Sequence, residues 1–162
     1  ASLVGSEMCI RDRTYSIPGI RVGWVASNTE VADILRDYRD YTMICAGVFD
    51  DMVATLVLEN KETILKRNRQ ILEENLALMD AWIAKEPKAS WIRPASVSTS
   101  FVKLDVNRPI EDFASELLQD YGVLVVPGNR FDKESHVRIG YCCDKDVLEK
   151  GLEKLSKFLN KY

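Results

Sequence analysis

Apolar positions recur along this chain at two different periods, and the change between them divides it. Between residues 29 and 85 the spacing is helical. Ser27-Asn28-Thr29 predicts an N-cap, because a short polar side chain can accept from the free N–H groups of a first turn. Val31, Ile34, Leu35 and Tyr38 then share one face, with Asp and Arg on the other. Residues 41–47 break the pattern and end in Gly47. A second helix is predicted with Phe49, Met52, Val53 and Leu56 as its buried stripe, and Glu59-Asn60-Lys61 marks a joint. A third, long helix is predicted over 62–85, with Ile64, Ile71, Leu72, Met79, Trp82 and Ile83 inward and Pro87 beyond its end.

From residue 90 the period shortens. Residues 90–93 and 99–105 read as strands, the first limited by Pro94, the second carrying Phe101, Val102 and Leu104. Asn107-Arg108-Pro109 opens a helix through Ile110, Phe113, Leu117 and Tyr121, and Gly122 ends it. Residues 123–126 form an apolar run, read as a strand closed by Pro127-Gly128, and 129–135 a polar loop. Residues 136–141 alternate. Asp144 is predicted to cap a last helix with Val147, Leu148, Leu152, Leu155 and Phe158 inward. This order predicts an α+β layer with helices over one face of a sheet. Ahead of the helical region, Pro18-Gly19 predicts a turn followed by a short buried strand over 20–26, with Arg21 between Ile20 and Val22.

Composition changes this picture little. At 162 residues, 46% hydrophobic and 29% charged, the chain is long enough to bury a real core. A formal charge of -3 gives no global basic field for nucleic acid. No apolar run approaches the roughly 20 residues of a membrane-spanning helix. Cys9, Cys45, Cys142 and Cys143, with the single His136, do not space as a metal-ligand set and read as free thiols of a cytoplasmic protein.

Two arginines carry candidate chemistry. Arg21 stands beside a tight turn, where a guanidinium suits a phosphate or carboxylate. Arg138 lies in the alternating strand. There Val137, Ile139 and Tyr141 line one face, and His136, Arg138 and Gly140 project from the other. Taken alone, either arginine reads as a structural ion-pair partner rather than a functional one.

The stretch from Arg13 to Trp24 resembles the cofactor-lysine motif of class I/II aminotransferases, fold-type I enzymes that use pyridoxal 5'-phosphate. Gly19, Arg21 and Gly23 match the family's Gly-x-Arg-x-Gly, which implies that Arg21 holds the cofactor phosphate. Tyr121 to Gly128, Phe131, and His136 to Tyr141 resemble the family's small domain, which implies that Arg138 grips the substrate α-carboxylate. The similarity runs from Thr14 to Tyr162. It implies the C-terminal piece of a fold-type I large domain over 13–60, then an α+β small domain over 61–162. It also implies a homodimer acting on amino acid and 2-oxo acid substrates. One position departs: Arg13 stands where the family has its Schiff-base lysine, and arginine stays protonated and cannot condense with the cofactor. Ile10 replaces the usual Ser three residues earlier. Residues 1–12 resemble a translated sequencing-adapter read and are expected to be non-native. The chain as given is therefore expected to lack transaminase activity.

The same fold admits other readings. A carbon–sulfur lyase, decarboxylase or synthase of the superfamily is one. A non-catalytic aminotransferase-like domain of a transcription regulator is another. Ser98, Thr99 and Ser100 lie where the family often has a small-residue turn near the substrate. His136 reads as structural, and Lys103 does not match the family lysine.

Overall fold

A computed structural model describes residues 15–17, 19–23, 25–95 and 97–161. Its helices begin where the sequence caps them. α1 (Thr29–Thr42) starts after Asn28, whose side-chain oxygen accepts from the Val31 N–H at 3.0 Å. α2 (Val48–Glu59) follows Gly47 and ends at Asn60, whose N–H returns to the Leu56 carbonyl at 3.1 Å. α3 (Lys61–Lys85) is the long helix that the periodicity predicts. The chain divides into two compact units at Asn68 and Arg69, inside α3.

In the first unit two expectations are corrected. The described residues of 20–26 are not in a strand, and the Ile20 N–H closes a turn onto the Ile17 carbonyl at 3.1 Å. A short apolar run becomes a strand only when a neighbouring strand takes its backbone hydrogen bonds. The one sheet among the described residues lies in the second unit. The stripe of α2 is also not buried: Phe49 is 84% exposed, Met52 58% and Leu56 57%, and Ala54 is the buried residue of that helix. α1 buries none of its residues. Helical spacing shows which residues share a face, not what covers that face.

The second unit has its own core. β1 (Ala89–Trp91), β2 (Thr99–Leu104), β3 (Val126–Pro127) and β4 (His136–Gly140) form an antiparallel sheet in the order β1-β2-β4-β3. Val102 faces Val137 across the β2–β4 ladder, and Ser100 faces Ile139. α4 (Ile110–Tyr121) and α5 (Lys145–Leu159) contribute Ile110, Phe113, Leu117, Leu148, Leu152, Leu155 and Phe158 to the same cluster. Leu76 and Met79 of α3 complete it. The expected α+β layer is thus present.

Within this layer the sequence reading needs three adjustments. β3 is Val126–Pro127, not 123–126. α4 ends with Gly122 at φ 66, and this left-handed turn sends the Val123 N–H back to the Leu117 carbonyl. Pro127 is tolerated because β3 is an edge strand. A 3-10 turn (Gly128–Phe131) then occupies the start of the expected loop. A Cβ at Gly128 would stand 2.2 Å from the Lys133 carbonyl oxygen and 2.5 Å from that of His136, so only glycine fits this fold-back. At α5, Asp144 caps through its backbone carbonyl, which accepts from Val147 and Leu148, and its side chain makes no cap bond. Val147 is 59% exposed: it lies just beside the buried stripe that Leu148 begins.

A polar contact absent from the apolar pattern ties α3 to the end of β4. Asn75 is buried, and its side-chain amide donates to the carbonyls of Tyr141 at 2.7 Å and Cys143 at 2.8 Å. Asn75→Ala leaves both acceptors without a partner and is expected to lower the unfolding free energy by about 2–4 kcal/mol in urea denaturation. A loss below about 0.5 kcal/mol would show that water replaces the amide at no cost.

Tyr141 gives a pH dependence. Its ring is fully buried and its hydroxyl donates to the Val97 carbonyl. Burial, reinforced by Cys142 and Asp80 against Arg93, pushes the phenol up to about 12. A raised folded value means the neutral phenol favours the fold. That contribution is complete below the ordinary tyrosine value of about 10 and is lost as pH rises toward about 12. Urea midpoints are expected to fall across this window, and Tyr141→Phe, less stable throughout, is expected to show a shallower alkaline decline. Equal slopes for the two proteins would refute the assignment.

Candidate functional site

β4 is paired on both sides, so its two faces have different fates. Val137 and Ile139 enter the core, and Arg138 rises from the face that the helices do not cover. Phe101 of β2 lies directly opposite Arg138 on one side and Val126 of β3 on the other. The guanidinium carbon of Arg138 sits 5.1 Å from the centre of the Phe131 ring. Phe101 meets Phe131 edge to face, with centres 5.2 Å apart and planes at 86°. Among the described residues Arg138 enters no ion pair, whereas Arg36, Arg93 and Arg130 each have a carboxylate. A half-buried cation that rests only on an aromatic face retains all its hydrogen-bond donors for an incoming anion.

The nearby turn is braced. Glu111 of α4 accepts from the Asn129 side chain at 2.8 Å and pairs with Arg130. These two partners, Asn129 first, hold its carboxyl below the usual carboxylate range. The carboxylate is thereby committed to the turn that carries Phe131. His136 shares the face of Arg138, and its ring lies 6.5 Å from Phe101. Burial, then the charges of Lys133 and Lys103, push its imidazole down, so it is neutral near pH 7. Gly140 is exposed, and a Cβ there would meet only the Thr99 methyl at 3.9 Å, which leaves open space beside Arg138.

The other sequence candidates fall elsewhere. Of the small residues, Ser98 accepts the Tyr141 N–H at 3.0 Å, and Ser100 points into the core. Thr99, opposite Gly140, is on the Arg138 face. Lys103 is on that face too, opposite His136. Arg21 belongs to the first unit, is exposed, and enters no ion pair among the described residues. Its free guanidinium suits the phosphate of pyridoxal phosphate. Arg13, expected from the sequence to stand at the attachment position, lies outside the described residues. No described group of three His, Cys, Asp or Glu could hold a metal ion, and no described helix is long and apolar enough to cross a membrane. Cys45, Cys142 and Cys143 are free thiols.

Phe101 and Phe131 are the site residues that periodicity alone misses. Phe101 is an apolar residue in a strand and reads as core until the register places it on the open face. Phe131 stands seven positions before Arg138 and reaches it only through the fold-back at Gly128.

Comparison with known proteins points in one direction. The sequence pattern of aminotransferase class I and II matches residues 13–155. The chain is similar to the crystal structure of a PLP-dependent aminotransferase from Streptococcus suis 89-1591, with 63% identity and a TM-score of 0.91, over 94% of this chain and 41% of that one. It is 28% identical over 148 residues to capreomycidine synthase of Streptomyces vinaceus, covering 91% of this chain and 38% of that protein. It is 25% identical over 158 residues to a probable N-acetyl-LL-diaminopimelate aminotransferase of Bacillus subtilis (strain 168), covering 92% and 38%. The chain thus spans about two fifths of the length of these relatives. The fold is that of the carboxyl-terminal portion of fold-type I enzymes, whose cofactor is pyridoxal phosphate. With its family pattern running through both units, the chain belongs to the class I and II aminotransferases.

Proposed function

We propose that this chain is the carboxyl-terminal part of an aminotransferase that moves an amino group from an amino acid to a 2-oxo acid, in an enzyme that works as a homodimer. The observation that carries the reading is Arg138: a half-buried guanidinium on the open face of the sheet, with an aromatic floor and no carboxylate partner among the described residues. Both substrates carry a carboxylate beside the reacting carbon. A guanidinium fork takes such a group through two parallel bonds, which fix its orientation as well as its charge. Arg138 is assigned this role and Arg21 the phosphate of the cofactor. Residues 13–60 are assigned to the end of the cofactor-binding domain and residues 61–162 to the small domain. Pyridoxal phosphate, where bound, supplies the electron sink. Residue 13 supplies neither the attachment nor the proton transfer that a lysine would.

A second reading has specific support. One relative is named a synthase, so the family fold at this level of similarity also serves a reaction other than transamination. The two readings separate by stoichiometry. A transaminase consumes one 2-oxo acid for each amino acid converted, and a reaction that leaves the amino group on its substrate does not pass it to a 2-oxo acid.

Two outcomes test the site. Treated with pyridoxal phosphate and then borohydride, the 162-residue chain is expected to show no specific lysine adduct by mass spectrometry. An adduct at one lysine near the Pro18-Gly19 turn, with turnover, would overturn the expectation. In a full-length enzyme that contains residues 14–162, Arg138→Ala is expected to raise KM for amino acids by about tenfold or more, because each charge-assisted bond contributes about 1.5–3 kcal/mol. Arg138→Lys keeps the charge, loses the fork, and is expected to fall between. An unfolded Arg138→Ala protein whose surviving fraction has an unchanged KM would make Arg138 structural.

A further inference from the structure

The contact beneath the guanidinium points to a residue that acts through Arg138. We propose that Phe131 is a positioning residue: its ring face holds the Arg138 guanidinium in the orientation that receives the carboxylate, and Phe101, packed against it in a T-shaped pair, holds the ring. The inference rests on the carboxylate role of Arg138 and adds how that side chain is aimed.

Arginine carries several rotatable bonds, and on an open sheet face nothing in the strand itself selects among them. Strand geometry fixes only the side of the sheet from which the side chain leaves. A carboxylate would usually supply the missing constraint, but a carboxylate would also occupy the donors that the substrate needs. An aromatic face constrains a guanidinium without using a single N–H, since the attraction is between the cation and the ring's negative face. Phe131 provides this at 5.1 Å from the guanidinium carbon.

The ring is itself placed by three independent features. Phe101 meets it at 86° with centres 5.2 Å apart, the edge-to-face arrangement that aromatic pairs favour. The backbone fold-back at Gly128 excludes any side chain there and so fixes the start of the turn. Glu111 clamps Asn129 and Arg130, the two residues just before Phe131, to α4. Three features thus hold the ring on which the guanidinium rests, and the one carboxylate among them, Glu111, is engaged by Asn129 and Arg130.

Two measurements test the proposal. In the 162-residue chain, the exchange rate and order of the Arg138 Nε–H by NMR report the constraint without any catalysis. Phe131→Leu is expected to raise the exchange rate severalfold, and Phe131→Tyr to restore it. In the full-length enzyme, Phe131→Leu is expected to raise KM for amino acids about threefold to tenfold with kcat within about twofold, and Phe131→Tyr again to restore it. Phe101→Leu, which removes the buttress and leaves the ring, is expected to give a smaller effect in the same direction. It serves as the test if Phe131→Leu does not fold. Leu and Tyr variants that behave alike in exchange would overturn the positioning role. An Arg138→Ala enzyme with an unchanged KM would instead overturn the carboxylate role, and the exchange measurement would still decide whether Phe131 orders the side chain.

Discussion

A central strand must satisfy both of its edges and both of its faces at once, and β4 shows the consequence. It is bonded to β2 on one side and β3 on the other, so its register is fixed twice. Val137 and Ile139 lie in the core beneath the helices. Because side chains alternate along a strand, Arg138 has no choice of face. Slipping the strand by one residue would bury a guanidinium and expose two branched aliphatics, which the fold cannot bear. The stability of the core and the direction of Arg138 are therefore one constraint. Asn75 extends it, since the same helix that packs on the sheet also holds the carbonyls that follow β4.

The turn from β3 to β4 brings chemistry to that face. Gly128 lets the backbone pass within contact of its own return segment, and the 3-10 turn that follows delivers Phe131 onto Arg138. Glu111, held ionised by Asn129 and Arg130, ties the turn to α4. A carboxylate so engaged is removed as a competitor for Arg138. The neutral imidazole of His136 adds little field of its own. The face is thereby left with a cation, an aromatic floor and the open space beside Gly140.

Much of the fold was legible where its signals are local and redundant. Gly122 stops α4 by its left-handed conformation, Asn28 caps α1 by its side chain, and alternation over 136–141 places Arg138 correctly. What escaped depends on partners. Residues 20–26 have the composition of a strand but no described member of them joins the sheet, and the stripe of α2 has the spacing of a core face without burial. Asn75 breaks the apolar pattern of α3 and becomes intelligible only when the carbonyls it serves are in place. Phe101 and Phe131 carry no polar atoms and announce no chemistry; strand register places the first opposite the arginine, and the fold-back at Gly128 brings the second onto it. The family was readable because its motifs, around Arg21 and around Arg138, are short and fixed in spacing.

The claim on which the account turns is that the open face of β4 exists to present Arg138 to a carboxylate. The most direct measurement is a crystal structure of a full-length enzyme containing this chain, with a non-reacting carboxylate analogue of an amino acid bound. The account predicts the analogue's carboxylate on the Arg138 guanidinium through two parallel bonds, with the Phe131 ring still beneath it. A carboxylate bound elsewhere, with Arg138 paired to an acidic side chain of the protein, would contradict it.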